Sequence, residues 1–201
     1  MDFHEFCQLA KSETLEAVVN SSLLEGSVFY FKGDLRRYFD FKYKIAEKLN
    51  VHPKDIEVVG SARLGFRLAQ QKAGEPFGPD SDIDVVVVSN TLFEEVWLQL
   101  ICVWERAWHD LVPKERTNLK ECLKNVYWGY IRPERIPTRS NFSRWWWAVF
   151  EELSNCDDYE QRSVRGRLFK SWKHVQINYC YSIQRLLQEL GQLSKERQNE
   201  I

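Results

Sequence analysis

Two acidic residues two positions apart, Asp82 and Asp84, lead into an unbroken valine run, Val85–Val88. About twenty residues earlier, Gly60-Ser61 closes another apolar run made of Ile56, Val58 and Val59. In a strand, side chains two apart share a face, so Asp82 and Asp84 are expected to project side by side while Ile83 and Val85 point the other way. Two carboxylates at the mouth of so hydrophobic a strand are costly unless something neutralises them. All-oxygen ligation suits magnesium, with manganese as its substitute. A Gly-Ser turn leading from a strand towards a helix offers backbone N–H groups and a hydroxyl to a phosphate. Together the two halves describe a magnesium–nucleotide site. The plainer alternatives are a strand-entry turn capped by two acids and an ordinary glycine turn.

The elements that must position these residues follow from periodicity. Apolar residues at helical spacing predict a helix over residues 3–24 (Phe6, Leu9, Leu15, Val18, Val19, Leu23) closed by Gly26, and a second over 34–49 capped by Gly33-Asp34. Val28–Lys32 reads equally as strand or helix. Asn50-Val51-His52-Pro53 breaks the chain before the first core strand, because the residue before a proline is pushed out of the helical region. After Ser61 a short helix is predicted over 62–70. A loop over 71–80 follows, rich in Gly74, Pro76, Gly78 and Pro79, that is either a lid over a nucleotide or a surface excursion. Further helices are predicted over 91–111, 114–126 and 139–153, with helix packing the expected role of Trp145-Trp146-Trp147. Residues 161–171 alternate as a strand does, with Arg165 and Arg167 on one face and Val164, Gly166 and Leu168 on the other. A last long helix covers 172–197.

A chain of 201 residues can bury a sizeable core, and with no internal repeat or long linker a single domain over 1–201 is expected. Within it, 1–50 supply N-terminal helices, 55–111 the core motif, and 112–201 a helical region with a strand near 161–171. The formal charge of −1 argues against a general basic field for nucleic acid. Five scattered cysteines without C-x-x-C spacing favour reduced thiols in a cytoplasmic protein. No signal peptide or membrane-spanning run is visible, so no membrane partner is expected. His4, His52, His109 and His174 lack metal-ligand spacing.

The order strand, Gly-Ser, turn, Asp-x-Asp, strand resembles the nucleotidyltransferase superfamily that includes DNA polymerase beta. The wording Gly60-Ser61-Ala62-Arg63-Leu64-Gly65-Phe66 and Ser81-Asp82-Ile83-Asp84 is most similar to bacterial cGAS/DncV-like nucleotidyltransferases and their small relatives. The resemblance is specific over residues 55–89. It implies an α/β (α+β) fold, a small mixed sheet flanked by helices with a long C-terminal helix. It also implies magnesium on Asp82 and Asp84, the β- and γ-phosphates on Gly60 and Ser61, and contacts to the triphosphate from Arg63 and from Lys173 on the late helix. The implied activity moves a nucleoside monophosphate from a nucleoside triphosphate such as ATP to a hydroxyl, making an oligonucleotide signal in anti-phage defence. An antitoxin that modifies a partner toxin, or a non-catalytic nucleotide sensor, are the alternatives. A third carboxylate is implied on a neighbouring strand. The strand candidate 161–171 instead carries Arg165 and Arg167, with Asp157, Asp158 and Glu160 just before it. Tyr179 or Tyr181 could stack on a base, although core packing accounts for either. Base, sugar and oligomeric state are left open.

Overall fold

The computed structural model describes the backbone of residues 1–136 and 140–199, and side chains outside residues 70 and 193–199. Helix α1 (Phe3–Ser12) starts on a reciprocal cap, in which Asp2 accepts from the Glu5 N–H and Glu5 accepts from the Asp2 N–H. The expected single helix over 3–24 is interrupted at Glu13 and Thr14, both extended, because the Thr14 hydroxyl caps a new helix by accepting from the Ala17 N–H. That helix, α2 (Leu15–Val18), runs on as a π-helical turn, Val19–Leu24. The ambiguous Val28–Lys32 segment holds a 3-10 turn, Phe29–Phe31. Helix α3 (Leu35–Leu49) is capped as expected by Asp34 and ends at Asn50 in the left-handed region.

Strand β1 (Ile56–Val59) feeds α4 (Ser61–Leu64), which stops far short of residue 70. Gly65 takes a φ of 86° and ends it. The chain then folds back on itself, the Arg67 N–H donating to the Glu75 carbonyl at 2.9 Å and the Phe77 N–H to the Gly65 carbonyl at 2.8 Å. Strand β2 (Ile83–Val88) leads into α5 (Asn90–Ala107), capped by Ser89, and α6 (Pro113–Tyr127) follows. A two-residue strand that periodicity did not predict, β3 (Tyr130–Ile131), precedes α7 (Asn141–Ser154). Arg139, the expected start of that helix, lies outside the described residues. Strand β4 (Val164–Phe169) and α8 (Trp172–Asn199) complete the chain.

The sheet order is β1-β2-β4-β3. Strands β1 and β2 are antiparallel with Val59 opposite Asp84, β2 and β4 are parallel with Asp84 opposite Arg165, and β3 runs antiparallel to β4 with Ile131 opposite Leu168. One face (Ile56, Val58, Ile83, Val85, Val87, Val164, Leu168) packs into the main core with Phe41, Ile45, Phe93, Val96 and Phe150 from α3, α5 and α7. Helix α7 can approach β4 only because residue 166 is glycine, since a Cβ there would lie 2.1 Å from Phe150 Cζ. Of the tryptophan triplet, Trp146 is buried in that core, whereas Trp145 and Trp147 keep exposed surface. The other face packs Val59, Val86, Val88 and Phe169 beneath Val175 of α8. Further along, Ile183 of α8 joins a second cluster with Phe6, Leu23, Leu64 and Phe66. This is the coarse architecture expected, a small mixed sheet among helices with a long C-terminal helix. Among the described residues no helix is long and apolar enough to cross a membrane.

Candidate functional site

Helix α8 covers the valine end of its sheet face and leaves the acidic end open. There β1 ends in Gly60, whose φ of 65° and ψ of −145° lie in a region essentially reserved for glycine. The bend carries Ser61 alongside β2, and a Cβ built on Gly60 would stand 3.3 Å from Asp84 Oδ2. The two half-motifs, apart in sequence, therefore meet in space. Ser61 opens the first turn of α4, where initial N–H groups lack intrahelical partners.

Asp82 and Asp84 share the face that valine alternation assigns them. Asp84 retains solvent-accessible surface, yet burial is the leading influence on its carboxyl and raises its pKa above the ordinary value; Asp82 raises it further, while Arg167, Arg165 and Arg132 oppose the rise. The carboxyl keeps contact with water while neighbouring protein crowds it and disfavours its charged form. Tyr179 of α8 lies near enough to feel the charge of Asp84. Burial lifts its hydroxyl to about 12, with Arg167 lowering and Asp84 raising it. Tyr181 faces away, exposed and beneath Arg185.

The approach to the acidic pair is braced. Ser81, almost fully buried, accepts at Oγ from the Gly78 N–H and from Arg67 Nη2, both at 3.0 Å. Arg162 donates through Nη1 to the carbonyls of Gly78 at 2.7 Å and Pro79 at 3.2 Å, and its guanidinium lies over Phe77 and Tyr30. The 71–80 loop is thereby tied down where it delivers Asp82. Ser81 belongs to the motif wording and Arg67 follows the Gly-Ser turn as a candidate phosphate contact, but nothing in their spacing, or in that of Arg162, announces a bracing role.

Strand β4 brings arginines to the acids. Arg165 Nη1 pairs with Asp82 Oδ2 at 3.1 Å. Arg167, two residues on, lies over the Tyr130 ring at 5.7 Å. Continuing the β3–β4 register sets Arg132 beside Arg167, and Arg132 also donates to Glu134 at 2.7 Å. The acids near the start of β4 are engaged elsewhere: Asp158 pairs with Lys44, Asp157 accepts from Gln161, and Glu160 pairs with Arg162. Among the described residues no group of three or more His, Cys, Asp or Glu side chains is arranged to hold a metal ion.

Two candidates stand apart from the acidic pair. The Arg63 side chain is about 1 % exposed and points inward, pairing through Nη1 with Glu57 at 3.0 Å and donating to the carbonyls of Val58 and Gly26. Glu57 also holds Lys42 and the Tyr38 hydroxyl, so Arg63 belongs to a buried network behind β1. Lys173 sits in the first turn of α8, exposed, and donates to Gln176 at 2.7 Å; no described contact joins it to Asp82, Asp84, Gly60 or Ser61. An open depression of about 580 Å³ lies at the far end of the sheet, between Asn50, Ser89, Lys170 and Trp172, away from the acidic pair.

The carboxylates suit one hard dication. They share a face, the desolvation of one of them is only partly offset by the neighbouring arginines, and Arg165, a cation already drawn to Asp82, marks where positive charge is favoured. Comparisons with protein-family models, with curated proteins and with solved structures each found no match.

Proposed function

We propose that this site binds a magnesium-bound nucleoside triphosphate and transfers its nucleoside monophosphate to a hydroxyl acceptor. The observation that carries the reading is the meeting of Gly60 with Asp84, which sets the Gly-Ser bend against a carboxylate that shares its strand face with Asp82. In the transfer, the acceptor oxygen forms a bond to the α-phosphorus and gives up its proton to water, while the bond to the bridging oxygen of the β-phosphate breaks and pyrophosphate departs. Asp82 and Asp84 are the residues for the dication, which when bound neutralises charge on the phosphoryl oxygens. Backbone N–H groups at Ser61 and Ala62, with the Ser61 hydroxyl, suit the terminal phosphates. Arg165 and Arg167 offer fork-shaped donors to the same chain of phosphates.

Purified protein mixed with magnesium and each labelled triphosphate is expected to release pyrophosphate, and Asp82→Ala/Asp84→Ala to abolish it. Equal signals from both proteins would remove the proposal. Product mass separates the versions: an oligonucleotide for the signalling role, a nucleotidylated protein for the antitoxin role.

A second reading, a nucleotide sensor without turnover, is favoured by Arg165, which stands opposite Asp84 on β4, a neighbouring strand of the kind where the resemblance implies a third carboxylate. Under it, triphosphate raises the melting temperature while no product forms.

A further inference from the structure

The Asp82–Arg165 pair does not behave as a structural ion pair. It lies on an open sheet face, with the Arg165 side chain about 67 % and that of Asp82 about 32 % exposed, and no second hydrogen bond between described residues anchors the guanidinium. An exposed pair of this kind contributes little to stability and opens readily. Arg167 contrasts with it, lying over the Tyr130 ring and acting electrostatically on both Asp84 and Tyr179. Asp82 therefore carries a weakly held cation, and of the donors of Arg165 only Nη1 is placed on that carboxylate.

Resting on the proposed function, we propose that Arg165 is an exchanging ligand: it occupies Asp82 until a dication takes that carboxylate, and then swings to the triphosphate. The residue is then both a competitor of the metal and a binder of the nucleotide. The two roles have opposite signs, which no purely structural role produces. A dication on Asp82 and Asp84 displaces the guanidinium electrostatically, and the polyphosphate arriving with the metal is the nearest anion left for it. Transfer from carboxylate to phosphate leaves the arginine charge-paired in both states. Metal and nucleotide are in this way coupled, each favouring the other's arrival.

The test measures two affinities in wild type, Arg165→Gln and Arg165→Lys: manganese alone by electron paramagnetic resonance, and a non-hydrolysable ATP analogue with manganese by calorimetry. In Arg165→Gln, manganese is expected to bind more tightly, by up to about fivefold, because its competitor is gone. The analogue is expected to bind at least about tenfold more weakly, because a charge-assisted donor is lost. Arg165→Lys retains a point charge and should restore the manganese affinity while recovering only part of the nucleotide affinity. Manganese affinity that is unchanged or lower in Arg165→Gln, or an unchanged nucleotide affinity, overturns the exchange. Failure of the two ideas is separable: opposite-signed shifts without pyrophosphate release defeat transfer and leave the exchange. Pyrophosphate release with flat affinities does the reverse.

Discussion

Arg63 offers the sharpest test, because its position in the motif marks it for nucleotide while its packing marks it for the fold. Its side chain is all but inaccessible and its Nη1 reaches Glu57 and the Val58 carbonyl, both at 3.0 Å. Breaking a buried pair by removing one partner costs about 3–5 kcal/mol. Glu57 keeps Lys42 and Tyr38, so its charge is not stranded, and Arg63 Nε has no partner to lose. The lower end, about 3 kcal/mol, is therefore expected for Arg63→Met, which preserves side-chain bulk. For a chain of this size each kcal/mol moves the melting temperature by about 2–4 °C, giving a fall of about 6–12 °C. Thermal unfolding by circular dichroism reads that shift, and calorimetry with the ATP analogue, below the transition, is expected to give a dissociation constant within about twofold of wild type, well short of the tenfold that losing one charged phosphate contact brings. A variant that melts like wild type yet loses tenfold in nucleotide affinity would refute the structural assignment of Arg63.

Other outcomes follow from the same geometry. Gly60→Ala forces a side chain into a glycine-only conformation and presses it on Asp84, so a loss of about 1–3 kcal/mol is expected in denaturant titration. Gly191→Ala, in open helix surface, should instead gain up to about 1 kcal/mol, and the same sign for both would contradict this account. Asp84 has a folded-state pKa raised by burial, so its favourable contribution is full below the ordinary carboxylate range and is lost as pH rises through the raised value. In chelator, Asp84→Asn should accordingly gain in melting temperature over wild type as pH is raised from about 4 to 7; a gain that shrinks over that interval would reverse the sign. Gly166→Ala would drive a methyl into Phe150 and Trp146, and a loss of about 1–3 kcal/mol or more is expected from equilibrium unfolding.

Local chemistry accounts for what could be read along the chain. Alternation placed Asp82 and Asp84 on one face and Arg165 and Arg167 on one face, since a strand's two-residue period is a property of the backbone itself. Helical spacing located α3, α5, α6, α7 and α8, and Asp34 announced its own cap. Two failures were places where a single residue overrides periodicity, Thr14 splitting the first helix and Gly65 ending α4 after one turn; a third, β3, is too short to show a period.

Pairing between distant strands decided the rest. Which strand lies beside β2, and in what register, depends on which hydrophobic faces bury together, and no local pattern encodes that choice. Only the β2–β4 register brings Arg165 to Asp82, and only the close approach of β1 to β2 sets Gly60 against Asp84. Arg63 and Lys173 show the converse. A motif names a side chain, but the direction in which it is buried is settled by the surrounding network, here Glu57 for one and the start of α8 for the other. The residue types that could do chemistry were written along the chain. Which of them face one another was decided by how the sheet and α8 close over the core.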